Sequence, residues 1–156
     1  MNYLKYIQTD VVNGEGTRST LFVAGCSHHC THCYNKSSLN PKAGFLFDEE
    51  MTEQIISDLK DTRIKRRGLS LSGGDPLFEG NLDAISRLVT RVKEECPDKD
   101  IWMWTGYKLE ELDEKRRQIV SKVDVLIDGK FERDKYDPSL KWRGSSNQVI
   151  HRFTDL

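Results

Sequence analysis

The chain lacks any apolar run approaching the ~20 residues that a membrane-spanning helix needs, and charged residues make up 31% of its 156 positions. It also lacks an excess of charge of either sign. The 24 Lys and Arg residues face 25 Asp and Glu, for a net charge of −1. That leaves no global electrostatic attraction to nucleic acid or to an anionic membrane. Met1-Asn2-Tyr3-Leu4-Lys5 has neither the basic nor the apolar region of a signal peptide. A cytoplasmic location is therefore expected, where thiols stay reduced. There is no internal repeat, low-complexity stretch or inter-domain linker, so residues 1–156 are expected to form one domain with a real core. Cysteine is scarce at four residues, yet three of them stand together.

Those three lie in Cys26-Ser-His-His-Cys30-Thr-His-Cys33, a Cys-x3-Cys-x2-Cys spacing with no fourth cysteine nearby. In a reduced compartment such a group reads as metal ligands before it reads as disulfides. Thiolates suit iron–sulfur clusters, zinc and Cu(I). Three on one short loop can hold three corners of a cubane cluster and leave the fourth iron open to a substrate. His28, His29 and His32 also allow a Cys/His zinc site, although zinc fingers usually split their ligands into two pairs; His28 and His29 otherwise read as solvent-facing or capping residues. Cys96, beside Pro97 after a helical pattern, reads as a small buried hydrophobe.

Hydrophobic periodicity sets out alternating strands and helices. Tyr3–Val12 and Ser19–Val23 read as strands flanking an Asn13-Gly14-Glu15-Gly16 turn. Asp48 is placed to cap a helix running through Lys60, with Met51, Ile55, Ile56 and Leu59 on one face. Gly68–Ser72 reads as a strand, and Asn81 is placed to cap a helix with the stripe Leu82, Ile85, Leu88, Val89 and Val92. Ile101–Trp104 is a strand, Leu109–Val120 a broken helix, Val123–Ile127 a strand, and Asn147–His151 a last strand after an irregular tail. The basic run Arg63-Ile64-Lys65-Arg66-Arg67 reads as a solvated helix end or, alternatively, as a docking patch. Strand–helix alternation predicts an α/β fold with a mostly parallel sheet. Parallel strands would put four strand ends on one rim: the cysteine loop, Gly73-Gly74-Asp75-Pro76, Thr105-Gly106 and Asp128-Gly129-Lys130.

A three-cysteine loop after the first such strand, followed by a Gly-Gly-acid turn, resembles the radical S-adenosylmethionine superfamily. Further segments resemble its small activating proteins of anaerobic ribonucleoside-triphosphate reductases, from roughly Asn13 to Phe153: Gly14–Arg18, Leu21–Cys26, Cys33-Tyr34-Asn35, Trp104–Tyr107, Asp128–Lys130 and Arg143–Gln148. The resemblance implies that Cys26, Cys30 and Cys33 bind a 4Fe–4S cluster whose open iron is chelated by the amine and carboxylate of S-adenosylmethionine. It implies that Gly73, Gly74 and Asp75 hold the methionine amine. His32, in a position that is commonly aromatic, and the following Tyr34 would lie near adenine, and Asp128, Gly129 and Lys130 would contact the cofactor. The implied reaction delivers one low-potential electron to the sulfonium, giving methionine and a 5′-deoxyadenosyl radical. The implied partner is the reductase itself, whose C-terminal region carries the glycine that becomes a glycyl radical; an electron donor such as a flavodoxin or a dithiol system is also implied. With little chain for a full barrel, the expected architecture is an open, partial β/α barrel. Arg143–Gln148 then either grips the reductase's glycine loop or the cofactor carboxylate, or simply connects to the last strand. Two other functions stand beside this one: a zinc-binding, non-catalytic adaptor, and a radical enzyme acting on a small molecule.

Overall fold

In the computed structural model, residues 1–26 and 40–153 are described. Among them seven strands form one sheet: β1 (Asn2–Asp10), β2 (Arg18–Val23), β3 (Phe45–Leu46), β4 (Gly68–Gly73), β5 (Asp100–Trp104), β6 (Val125–Asp128) and β7 (Val149–Arg152), in the order β3-β1-β2-β4-β5-β6-β7. The helices are α1 (Glu49–Lys60), α2 (Leu82–Glu95) and α3 (Glu114–Val120). The sheet is mixed, which corrects the expectation of a mostly parallel one. Strands β2, β4, β5 and β6 run parallel at its centre, while β1, β3 and β7 pair antiparallel at its sides. The connection from Asp10 to Arg18 is too short for the crossover of about a dozen residues that a parallel pair needs. After β6 the tail holds only a 3-10 turn at Arg133–Lys135 before β7, so no α-helix carries the chain back over the sheet.

Register lines up the two faces. Leu21, Leu71, Met103 and Leu126 form one cross-strand row, and all belong to the core shared with Ile55, Ile56 and Leu59 of α1 and Ile85, Val89 and Val92 of α2. The neighbouring row, Thr20, Ser70, Trp102 and Val125, faces the other way because side chains alternate along a strand. There Trp102, Val125 and Ile127 pack with Trp104, Trp142 and Ile150. The start of this face is filled by Arg18, fully buried, which donates to Ser70 Oγ at 2.7 Å and pairs with Asp100 at 2.6 Å.

Capping follows the sequence at α1 and departs from it at α2. Asp48 Oδ1 accepts from Met51 N at 3.0 Å, with Glu49 and Glu50 in the favourable first turn. The expected helical break before α3 is a 3-10 turn at Leu109–Glu111, after which Asp113 caps Arg116 N at 3.0 Å. Asn81 precedes α2 but makes no side-chain cap. The basic run also departs from expectation, for Arg66 is buried. Its guanidinium donates to Gln8 O, Asp58 O and Thr9 Oγ1 at 2.7, 2.9 and 2.8 Å, tying β1 to the end of α1. Among the described residues no helix is long and apolar enough to cross a membrane.

Candidate functional site

The ends of the parallel strands are stitched together by hydrogen bonds into one rim. Where β2 meets β4, the Gly74 amide donates to Val23 O and the Asp75 amide to Gly25 O, both at 2.8 Å. Asn81 closes the same corner, its Nδ2 donating to Ala24 O at 2.8 Å and to Asp75 O at 3.1 Å. Where β4 meets β5, the Asp75 carboxylate accepts from Thr105 Oγ1 at 2.8 Å, Gly106 N at 2.9 Å and Leu77 N at 2.8 Å. Where β5 meets β6, Gly129 N donates to Tyr107 O at 3.2 Å and Leu109 N to Asp128 Oδ2 at 2.7 Å.

Cys26, just past β2, thus lies at the corner held by Gly74 and Asp75. Asp128, Gly129 and Lys130 occupy the same rim two strands further along. Cys30, His32, Cys33 and Tyr34, together with His28 and His29, lie outside the described residues. Asp75 is 1% exposed and its carboxylate is engaged by its own chain. Asp128 is buried too: it holds the Leu109 amide, and His151 Nε2 lies 3.1 Å from its Oδ2. Lys130 is exposed.

The segment Arg143–Gln148 folds onto this end of the rim. Gln148 Nε2 donates to Gly129 O at 3.0 Å and Asn147 Nδ2 to Lys130 O at 2.8 Å. Within the segment, Arg143 donates to Gln148 O at 2.6 Å, and Gln148 Oε1 accepts from Gly144 N and Ser145 N. Much of its polar capacity is therefore spent on its own fold and on Gly129–Lys130.

Cys96 sits at the opposite edge of the sheet. It follows α2 and precedes β5, so it lies where the parallel strands begin, whereas Cys26 lies where they end. It is part of the apolar core, and burial pushes its thiol pKa up, toward the neutral form that does not ligate metals.

Sequence reasoning missed the roles of two rim residues. Thr105 was visible only as the residue closing a strand. Asn81 was assigned to capping because Asn before an apolar run is a cap signal. Its actual role can be measured: Asn81→Ala removes the donor to Ala24 O at the β2–β4 corner and leaves Asp75 O with the Phe78 amide. A loss of ~1–3 kcal/mol is expected, read as a lower urea midpoint with an unchanged slope. An unchanged midpoint would show that water replaces the amide at no cost.

A sheet whose parallel strand ends bring Cys26 beside a Gly-Gly-acid turn has the layout of a cofactor-binding α/β protein. Residues 12–151 match the family described as a 4Fe-4S single cluster domain, and the chain is a protein of that class. It is 64% identical to the anaerobic ribonucleoside-triphosphate reductase-activating protein of Haemophilus influenzae over 98% of this chain and 99% of that one. Identity to the protein of the same name is 59% in Escherichia coli K12, covering 97% and 98% of the two chains. It is 46% for that of phage T4, covering 99% and 96%. The chain belongs to the family of anaerobic ribonucleoside-triphosphate reductase-activating proteins.

Proposed function

We propose that the chain is a single radical S-adenosylmethionine domain that activates an anaerobic ribonucleoside-triphosphate reductase by generating a glycyl radical in the reductase's C-terminal region. The observation that carries this reading is the β2–β4 corner, where Val23 and Gly25, just before the first cysteine of the motif, accept hydrogen bonds from the Gly-Gly-Asp turn. Cys26, Cys30 and Cys33 would supply three thiolates to a 4Fe–4S cluster, and the matched domain type favours iron–sulfur over zinc. The donor set also fits the second group. All peptides of the rim are trans, so with the Asp75 amide turned to Gly25 O, the Gly74 carbonyl points the other way. Among the described residues no group donates to that carbonyl. It is an acceptor suited to the ammonium group of S-adenosylmethionine.

When bound, the reduced cluster and S-adenosylmethionine together supply a 5′-deoxyadenosyl radical able to take a hydrogen atom from a glycine Cα. The chain's own residues bind and orient. Gly73 and Gly74 would present backbone to the amine, Asp75 would fix their turn, and His32 and Tyr34 would serve the adenine. Gly129 and Lys130 would close the far side, held by Asn147 and Gln148, while Asp128 ties the strand end to Leu109. The open sheet serves as a partial β/α barrel whose uncovered rim admits the reductase's glycine-bearing loop. The electron comes from a cytoplasmic donor such as a flavodoxin or a dithiol system. The relatives' names favour a protein substrate over a small molecule.

The test is anaerobic incubation of iron-loaded protein with dithionite, S-adenosylmethionine and the reductase. Formation of 5′-deoxyadenosine and a glycyl radical in the electron paramagnetic resonance spectrum is the expected result. A colourless protein, or a coloured one that yields no 5′-deoxyadenosine, overturns the reading.

A further inference from the structure

We propose that Thr105 is a positioning residue for the cofactor: its hydroxyl fixes the Asp75 carboxylate and so sets the Gly73-Gly74 backbone that receives the ammonium group. The inference rests on the proposed activase function and adds a residue that neither the cysteine motif nor the Gly-Gly-acid turn contains. Thr105 is 5% exposed and its Oγ1 lies 2.8 and 2.9 Å from the two oxygens of Asp75. The Tyr107 amide donates to the same Oγ1 at 3.2 Å. A hydroxyl has one proton and two lone pairs. With a lone pair taken by Tyr107 N, the proton is directed to the carboxylate.

The result is a relay that joins four strand ends. Gly129 N donates to Tyr107 O, Tyr107 N to Thr105 Oγ1, and Thr105 to Asp75, whose own amide donates to Gly25 O beside Cys26. Gly106 N and Leu77 N add further bonds to the same carboxylate. Asp75 is thereby held as an internal brace rather than as a partner for the cofactor's ammonium. Its carboxylate loads the turn from the β5 side while Val23 and Gly25 hold it from the β2 side. The Gly74 carbonyl between these two anchors has its direction fixed before any ligand arrives, which is preorganisation of a binding group by its neighbours.

The test compares iron-loaded Thr105→Val, which keeps the shape and removes the hydroxyl, with Thr105→Ser, which keeps the hydroxyl. Three quantities are read: iron content, the dissociation constant for S-adenosylmethionine by equilibrium dialysis, and the change that S-adenosylmethionine produces in the electron paramagnetic resonance spectrum of the reduced cluster. Thr105→Val is expected to retain iron and to bind S-adenosylmethionine about tenfold or more weakly, because a hydrogen bond to a charged group is lost. Its cluster spectrum should respond less at a concentration that saturates the parent. Thr105→Ser should restore both to within about twofold. Should Thr105→Val fail to fold, Thr105→Ala makes the same comparison without apolar bulk beside the carboxylate. Parent-like binding by the hydroxyl-free variant, loss of iron together with binding, or no rescue by Ser overturns the proposal. A parent protein that itself fails to bind S-adenosylmethionine overturns the activase reading instead.

Discussion

Cys26→Ala, purified and iron-loaded without oxygen, is expected to lose most of its iron and all measurable 5′-deoxyadenosine formation, whereas Cys96→Ala keeps both. Each contains one thiol fewer, and the difference lies in where the sheet puts them. Cys26 follows the end of β2, at the rim shared with Gly74 and Asp75. Cys96 lies at the other edge of the sheet, inside the apolar core, with its thiol pKa raised by burial. Loss of an outer-shell partner of a metal ligand already costs roughly 10–100-fold in metal affinity or activity. Loss of the ligand itself should exceed ~100-fold, because a remaining pair of thiolates cannot hold three corners of a cubane. Cys96→Ala removes one buried atom from the core at a cost of about 1–2 kcal/mol, visible as a lower melting temperature with full iron content. Iron analysis beside a melting curve separates the two effects. Equal loss of iron in the Cys96 variant would make it a ligand and would end the argument for an open iron.

The sequence was most readable where one residue type has one common use. Leu82, Ile85, Leu88, Val89 and Val92 recur at helical spacing and all are buried on α2. Asp48 before an apolar periodic run is an N-cap in the structure as in the pattern. Reading failed where one residue type serves two ends. Arg66 sits in a run of cations whose ordinary place is solvent, yet three acceptors from β1 and α1 converge on it, and that convergence depends on tertiary placement. Asn81 has the same ambiguity between capping and bridging. The antiparallel flanks were masked by the strong strand–helix alternation in the middle of the chain, which describes β2, β4, β5 and β6 and says nothing of how β1 and β7 are attached. The candidate site was legible as a list of strand ends. The bonds that join those ends were not, because which of Thr105, Tyr107 and Gly129 meets which is decided only when the strands are set side by side.

Gly73→Ala should be severely damaging to the fold, and Gly74→Ala mild, although the two glycines are adjacent and indistinguishable in the sequence. Gly73 has φ 104°, in the left-handed region, and Gly74 does not take a positive φ. A Cβ on Gly73 would stand 2.5 Å from both Val23 N and Val23 O and 2.8 Å from Phe22 C. Those are backbone atoms of β2, which cannot rotate aside as a side chain can. The positive-φ conformation alone costs an L-residue roughly 1–2 kcal/mol. Relief of the overlap requires β4 to move off β2, which strains the Gly74–Val23 and Asp75–Gly25 bonds together. A total above ~4 kcal/mol is expected, in the range that marks a specific steric fault and a large part of the 5–15 kcal/mol by which domains are typically stable. The measurement is urea unfolding of both variants beside the parent. Gly73→Ala should unfold at a much lower midpoint or fail to accumulate as soluble protein. Gly74→Ala should lie close to the parent, so that Gly74→Val, folded and iron-loaded, can report on cofactor affinity alone. Equal midpoints for Gly73→Ala and the parent would mean that β2 and β4 are not held at this spacing, and the corner on which the candidate site depends would have to be drawn differently.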